Sequence, residues 1–361
     1  MLNPGQRPAW WLSWAALPYA LGARLRAYGY QQEWLAQRRL PVPVISVGNL
    51  TVGGTGKTPI VIEVTQWLLE AGRRVAVLSR GYRRSSGGSL LLVSDGARIL
   101  ASQDEAGDEP SLIARRCRGA VVAVGADRYR LGRWVLDSSE VDCFVLDDGF
   151  QHMGLHRDVN LLLLDATDTD GLTQVLPAGR LREPMSAAER ATAVVVTRAE
   201  RATQVEAVMT RLRSAVHRLP LTAQAVFKPT EIVSVTNDAA RAPEWCRGKR
   251  ALLVSGVGHP ASFRATAEEL GLTVLDAVVY PDHHRYTLHD IDRLRKRAAD
   301  LKAEVLFTTE KDAGKIQPYL SQHDEESWWA VRLNVDWRAG EADLRKIIME
   351  AQPSLGRRAG A

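Results

Sequence analysis

The stretch Val44-Ile45-Ser46-Val47-Gly48-Asn49-Leu50-Thr51-Val52-Gly53-Gly54-Thr55-Gly56-Lys57-Thr58-Pro59 runs from an apolar segment into a glycine-rich loop and on into an amphipathic segment. A loop of this grammar points successive backbone N–H groups and a helix N-terminus at a polyphosphate. Lys57 would reach the outer phosphates, and the Thr58 hydroxyl would hold magnesium. Gly53, Gly54 and Gly56, with Thr55 between them, supply the backbone freedom such a cradle needs. Thr51 stands where the strict pattern has glycine, so the loop departs from it there. Two features argue against an ordinary turn. Ile60, Val64, Trp67 and Leu68 share one helical face, with Pro59 in the first turn and Gly72 at the end. Lys57 is also the only lysine before Lys228 in a half otherwise served by arginine. A compact, flexible ammonium does a different task from a planar guanidinium.

Carboxylates come next. Val141–Gly149 reads as an apolar strand that ends in Asp147 and Asp148, either of which could hold magnesium directly or through water. Gln151 and His152 follow at once. Gly107-Asp108-Glu109-Pro110 precedes a helix expected to start near Ser111. Its two acids compensate a helix N-terminus on one reading, and serve as a general base or metal ligand on the other. Ser79-Arg80-Gly81-Tyr82-Arg83-Arg84, Arg128 and the basic loop Leu176–Pro184, with Glu183 inside it, could present cations to phosphate. Pro281-Asp282-His283-His284-Arg285-Tyr286 and Thr308-Thr309-Glu310-Lys311-Asp312 gather titratable groups after two further strands.

The elements that must position these groups alternate along the chain. Strands are predicted at Val44–Val47, Arg74–Ser79, Ala120–Val124, Cys143–Asp147, Asn160–Asp165 and Ala193–Thr197, several of them continuous Val/Leu runs suited to parallel strands buried on both faces. A second set is expected at Ala251–Ser255, Thr273–Val279, Val305–Thr309 and Trp329–Leu333, with helices near 260–270 and 288–301. The expected class is α/β: a P-loop NTPase-type parallel-sheet domain over 39–220, a smaller α/β domain over 221–361, and an N-terminal region over 1–38. At 361 residues, 45% hydrophobic and 25% charged, the chain suits a soluble globular protein with two cores. The net charge of +5 fits acidic partners such as phosphates or an anionic membrane, and no feature points to nucleic acid. Cys117, Cys143 and Cys246 are scattered, as in a reducing compartment.

Trp10-Trp11-Leu12-Ser13-Trp14-Ala15-Ala16-Leu17 continues to Leu21 and is flanked by Arg24, Arg26, Arg38 and Arg39. It is shorter than the roughly 20 residues a spanning helix needs. It suits an amphipathic element lying in the headgroup region, with packing on the core as the rival reading. A signal peptide would require a small-residue cleavage site, and the segment has no convincing one.

Taken in order, Val44–Pro59, Ser79–Tyr82, Gly107–Pro110, Asp147–His152, Leu176–Pro184, Ser255–Pro260, Asp282–Tyr286 and Thr309–Asp312 resemble the tetraacyldisaccharide 4′-kinase family of lipid A biosynthesis. The resemblance covers nearly the whole chain, and threonine in place of the first glycine is what this family looks like. It implies transfer of the ATP γ-phosphate, with Mg2+, to the 4′-hydroxyl of a tetraacyldisaccharide 1-phosphate, giving lipid IVA. It also implies peripheral attachment to the cytoplasmic face of the bacterial inner membrane, with no obligatory protein partner. Lys57 and Thr58 would bind phosphates and magnesium, and Asp147 and Asp148 would complete the metal site. Asp108 would act as base, paired with His283 or its neighbour His284 from the second domain, so that domain closure would assemble the site. Tyr82, Glu109, Arg128, His152 and Glu183 would shape the cleft. The competing classes are a P-loop switch or metallochaperone acting through a protein partner, and a membrane scaffold that keeps a relic loop.

Overall fold

The computed structural model describes residues 10–81, 90–321, 324 and 327–353. In chain order its first elements are α1 (Trp10–Gln31), β1 (Val44–Asn49), α2 (Lys57–Glu70), β2 (Val75–Ser79), β3 (Leu91–Asp95), α3 (Gln103–Ala106), α4 (Asp108–Arg116), β4 (Val121–Val124) and α5 (Arg128–Ser138). There follow β5 (Cys143–Asp147), β6 (Val159–Asp165), β7 (Ala193–Thr197), α6 (Ala202–Ala215), β8 (Leu221–Ser234) and β9 (Ala240–Arg241). The remainder is β10 (Arg250–Ser255), α7 (Pro260–Glu269), β11 (Thr273–Val279), α8 (Leu288–Asp300), β12 (Val305–Thr309), α9 (Glu310–Ile316), β13 (Trp328–Ala339) and α10 (Glu341–Met349).

Contacts divide the chain into two compact units. The first takes the described residues of Met1–Ala101, Ile113–Phe227 and Val335–Ala361; the second takes those of Ser102–Leu112 and Lys228–Asn334. The chain therefore passes between them at four places, not at a single linker near residue 221, and α4, β8 and β13 each contribute to both.

In the first unit the strand order is β8-β7-β6-β1-β5-β2-β4-β3. Each of β1, β2, β5, β6 and β7 is buried along its whole length, and β1 pairs in parallel with β5 and β6. Continuous apolar runs are what a strand covered on both faces requires. The sheet is mixed, because β3 runs antiparallel to β4. Central β1 ends at the glycine loop and its neighbour β5 ends at Asp147, so the two chemical segments emerge side by side.

Helix α1 is apolar on more than one side. Ala16 joins the core cluster with Leu50, Phe150 and Leu162, and Leu12 and Ala20 pack against it. Trp14, Leu17, Leu21 and Leu25 are 57–69% exposed. Among the described residues, no helix is long and apolar enough to cross a membrane.

The second unit has strand order β11-β10-β12-β13-β8, with β10, β11, β12 and β13 joined in parallel. Phe263 and Ala267 of α7, with Phe307 of β12, fill one core cluster. Ile291, Leu294 and Ala298 of α8 fill another with Trp328.

Candidate active site

In the first unit the Gly53–Thr58 loop forms the N-terminal approach to α2, whose cap residue is Gly56. Gly53 and Gly56 lie at φ +118° and +80°, a region L side chains rarely adopt. A Cβ on Gly56 would also lie 2.2 Å from Cζ of Phe227. The Arg198 guanidinium donates to the Gly54 carbonyl (3.0 Å), the Thr197 hydroxyl to the Thr55 carbonyl (2.9 Å) and the Arg180 guanidinium to the Val52 carbonyl (2.8 Å). The loop's carbonyls are thus bonded outward, and Thr55 Oγ1 is buried without a hydrogen-bond partner.

Lys57 Nζ donates to Asn49 Oδ1 (3.2 Å) and lies 3.6 Å from Asp148 Oδ1. Asp148 accepts from Arg182 at 2.9 Å, Arg182 donates to Gln151 Oε1 at 3.3 Å, and Gln151 donates to the Asn49 carbonyl at 2.9 Å. The circuit Asn49–Lys57–Asp148–Arg182–Gln151 therefore closes on itself. Asn49 also donates to the Thr51 carbonyl (2.8 Å) and hydroxyl (3.3 Å), which braces the loop at the position where it departs from glycine. Asp148 sits at φ +53°, a strained conformation of the kind found at functional carboxylates. Burial by itself would raise its carboxyl; Lys57 and Arg182 outweigh that and hold it below the ordinary range. Asp147, buried at the end of β5, accepts from the Ser79 hydroxyl at 2.8 Å.

Arg128 opens α5 and is almost wholly buried, donating to the Gly125 and Ala126 carbonyls at 3.3 and 3.0 Å. Burial pushes its guanidinium down to about 10, opposed by the charges of Asp147 and Asp148. His152 is pushed down to about 4, by burial first and by the Arg128 charge second. Arg128, His152 and the two aspartates thus share one electrostatic neighbourhood. Glu183 is placed differently: it pairs with Arg190 at 2.7 Å. The expected cleft residue Tyr82 lies outside the described residues.

The second unit holds the other cluster. Helix α4 begins at Asp108 and not near Ser111, so Asp108 and Glu109 are in its first turn. Since Ser102–Leu112 belongs to this unit, Asp108 and His283 share one unit and their pairing needs no domain closure. His283 Nδ1 lies 2.8 Å from Asp108 Oδ2. His284 lies instead against Asp290, at 3.3 Å. Asp108 also receives Lys315 on Oδ2 (2.9 Å) and Gln103 on Oδ1 (3.1 Å). Burial would raise its carboxyl, but His283 and Lys315 hold it far below the usual range. An ionised carboxylate only accepts, so His283 donates from Nδ1 to Asp108, and Nε2 is the ring nitrogen outside that pair. Lys311 Nζ stands 3.4 Å from that nitrogen and 3.2 Å from both Glu109 and Asp282.

Asn49, Gln103 and Lys315 were not singled out by sequence. Each is an ordinary polar residue that also has a partner far along the chain: Gln151 for Asn49, the Lys311 carbonyl for Gln103 and Asp108 for Lys315. The one available hint for Lys315 is its i, i+4 spacing from Lys311.

The model of the tetraacyldisaccharide-1-P 4′-kinase family matches residues 8–352. A tetraacyldisaccharide 4′-kinase of Pelobacter propionicus is 42% identical over 301 residues, 83% of this chain and 81% of that one. Its counterpart in Anaeromyxobacter dehalogenans is 39% identical over 337 residues, 93% of this chain and 88% of that one. Among solved structures, LpxK from Aquifex aeolicus in complex with ATP superposes with a TM-score of 0.75 at 32% identity, covering 93% of this chain and 97% of that one. A match of this extent, with a cradle, a paired carboxylate strand and an Asp–His couple in the expected order, means that the chain belongs to the tetraacyldisaccharide 4′-kinase family.

Proposed function

We propose that this protein transfers the γ-phosphate of ATP to the 4′-hydroxyl of a tetraacylated glucosamine disaccharide 1-phosphate, forming lipid IVA in lipid A biosynthesis. The observation that carries this reading is the Gly53–Thr58 cradle, with Lys57 at its end, in a chain of this family.

Phosphoryl transfer needs positioning and charge neutralisation more than covalent chemistry. Backbone N–H groups of Gly53, Gly54, Thr55 and Gly56, with Lys57 and Thr58, receive the phosphates. Incoming phosphate takes over the ammonium that Asn49 and Asp148 hold at 3.2 and 3.6 Å. The Thr58 hydroxyl and the Asp147 and Asp148 carboxylates are a hard oxygen donor set suited to Mg2+, which takes one or two carboxylates and fills its shell with phosphate and water. Bound there, Mg2+ would neutralise charge on the phosphate oxygens. Arg128 and Arg182 add fixed positive charge beside the aspartates.

In the second unit, the Asp108–His283 couple accepts the proton of the acceptor hydroxyl. Asp108, engaged by three donors, is a weak proton acceptor itself; it orients His283 and stabilises the imidazolium, while Nε2 takes the proton. Glu109 holds Lys311 nearby. His152, beside Arg128, would line the cleft on the family's pattern.

The acceptor's acyl chains stay in lipid, and α1 suits that location. Exposed Trp14, Leu17, Leu21 and Leu25, with Arg24 and Arg26 on the same helix, form an apolar and cationic face for the cytoplasmic surface of the inner membrane, bound peripherally. The switch or metallochaperone alternative has less support, because the match to the kinase family runs over nearly the whole chain.

The test is transfer of labelled γ-phosphate to a tetraacyldisaccharide 1-phosphate in mixed micelles, with Lys57→Ala and Asp108→Ala beside the unaltered protein. Lipid product that both variants lose supports the reading; ATP hydrolysis with no lipid product overturns it.

A further inference from the structure

We propose that Lys315 is a positioning residue that acts through Asp108, fixing the rotamer and the charge of the couple that presents His283. The inference rests on the proposed role of Asp108 and His283, and it gives a task to Asp312 and Lys315, which the reaction scheme otherwise leaves idle.

Lys315 is almost wholly buried, with 8% of its side chain exposed, and spans two carboxylates: Asp108 Oδ2 at 2.9 Å and Asp312 Oδ1 at 3.3 Å. Asp312 is fully buried and is itself fixed, accepting from the Gly256 backbone N–H and the Thr309 hydroxyl, each at 2.9 Å. A lysine this deeply buried forfeits hydration, which only closely paired anions offset. The result is a rigid line from the backbone at Gly256 through Asp312 and Lys315 to Asp108, ending on His283 Nδ1.

The surroundings explain why a cation is needed there. Asp282 lies 3.7 Å from His283 Nε2, Glu109 approaches through Lys311, Asp108 touches Nδ1, and the Tyr286 hydroxyl is buried close by. Left alone, these carboxylates would favour a protonated imidazole, which cannot accept a proton. Lys311 and Lys315 are the opposing charges, and Gln103 adds a neutral donor on Asp108 Oδ1. Removing the Lys315 ammonium makes protonation of the couple easier, so it falls silent at higher pH.

The experiment is the pH profile of kcat/KM for lipid phosphorylation by the full chain in micelles. Lys315→Met is compared with Lys315→Arg, the charge-neutral double variant Lys315→Met/Asp312→Asn, and His283→Gln. The acid limb is expected to move up by about one pH unit or more in Lys315→Met, the size of effect one charge at this distance has. Lys315→Arg should keep the limb in place, and the double variant should move it in the same direction by less, because the ammonium it loses touches Asp108 while the lost Asp312 carboxylate lies behind it. Lower activity with an unmoved limb in the folded variants means a purely structural lysine and overturns the proposal. Full activity in His283→Gln overturns it as well, by removing the reading beneath it, so the two failures are told apart.

Discussion

His283 Nδ1 and Asp108 Oδ2 lie 2.8 Å apart although 175 positions separate them in the chain, and His283 meets the carboxylate from a left-handed backbone at φ +63°. Strain at a residue that presents an imidazole fits a site that gives up stability for orientation. His283→Gln and Asp108→Asn should each lower kcat for lipid phosphorylation by about 100-fold or more, the usual range for a lost general base. The KM for ATP should stay near its original value, as steady-state kinetics at varied ATP would record.

Arg182 is expected to act on nucleotide through Asp148. Its guanidinium donates to that carboxylate at 2.9 Å, and Arg182→Ala leaves Asp148 with Lys57 as its near cation. Lys57 would then be drawn away from incoming phosphate. About a tenfold rise in KM for ATP follows from loss of one charge-assisted hydrogen bond. An unchanged KM would show that the closed circuit does not govern the lysine.

Acidification should destabilise the fold through His152. Its folded-state value of about 4 lies below the ordinary imidazole value, with burial as the first cause, so the unfolded chain binds the extra proton first as pH falls. The stability this group contributes is present above about pH 6.5 and is lost as pH drops toward 4. Urea unfolding at pH 7, 6 and 5 should show a decline that His152→Gln flattens.

Gly56 and Gly54 are expected to differ sharply when changed to alanine. Gly56→Ala forces φ +80° on a β-carbon and drives it into Phe227, costing about 1–2 kcal/mol for the backbone alone. Gly54 has nothing within 4 Å of its would-be Cβ. Chemical denaturation should separate the two variants, and Phe227→Ala should not fully rescue Gly56→Ala because the backbone cost persists.

Replacing Leu17, Leu21 and Leu25 of α1 with serine should weaken binding to anionic phospholipid vesicles by about tenfold or more, given the apolar area each exposes. Co-sedimentation would measure it. Equal binding by the triple variant would mean that α1 is not the docking face.

The parts legible in the sequence were those whose signal is local. The runs that became β1, β5, β6 and β7 are apolar on consecutive residues because both faces are covered. The cradle announced itself through glycines beside a solitary lysine. Strand β8 was not read, because Lys228-Pro229-Thr230-Glu231 interrupts its apolar pattern while its neighbours still hold it extended. Strand β13 extends beyond the expected Trp329–Leu333 to Ala339 through half-buried polar positions. Within the site, no local feature of Asp108 points to residue 283; only resemblance to a family joined them. Arg182 and Asn49 acquire meaning from the ring they close with Lys57, which exists only in three dimensions.

The four passages of the chain between its units bear on how the protein is made. Helix α2, which opens with Lys57 and Thr58, is packed by residues from the far end of the chain. Trp337 stacks on Trp67 at 5.4 Å and donates to Glu63, and Arg345 reaches Glu70. A nascent chain halted at residue 220 carries every residue of the cradle yet lacks the β13 and α10 residues that cover the cradle's helix. The helix that opens with Lys57 is thus covered by residues some 274 positions downstream, so a fragment that stops at residue 220 leaves Glu63, Trp67 and Glu70 without these partners.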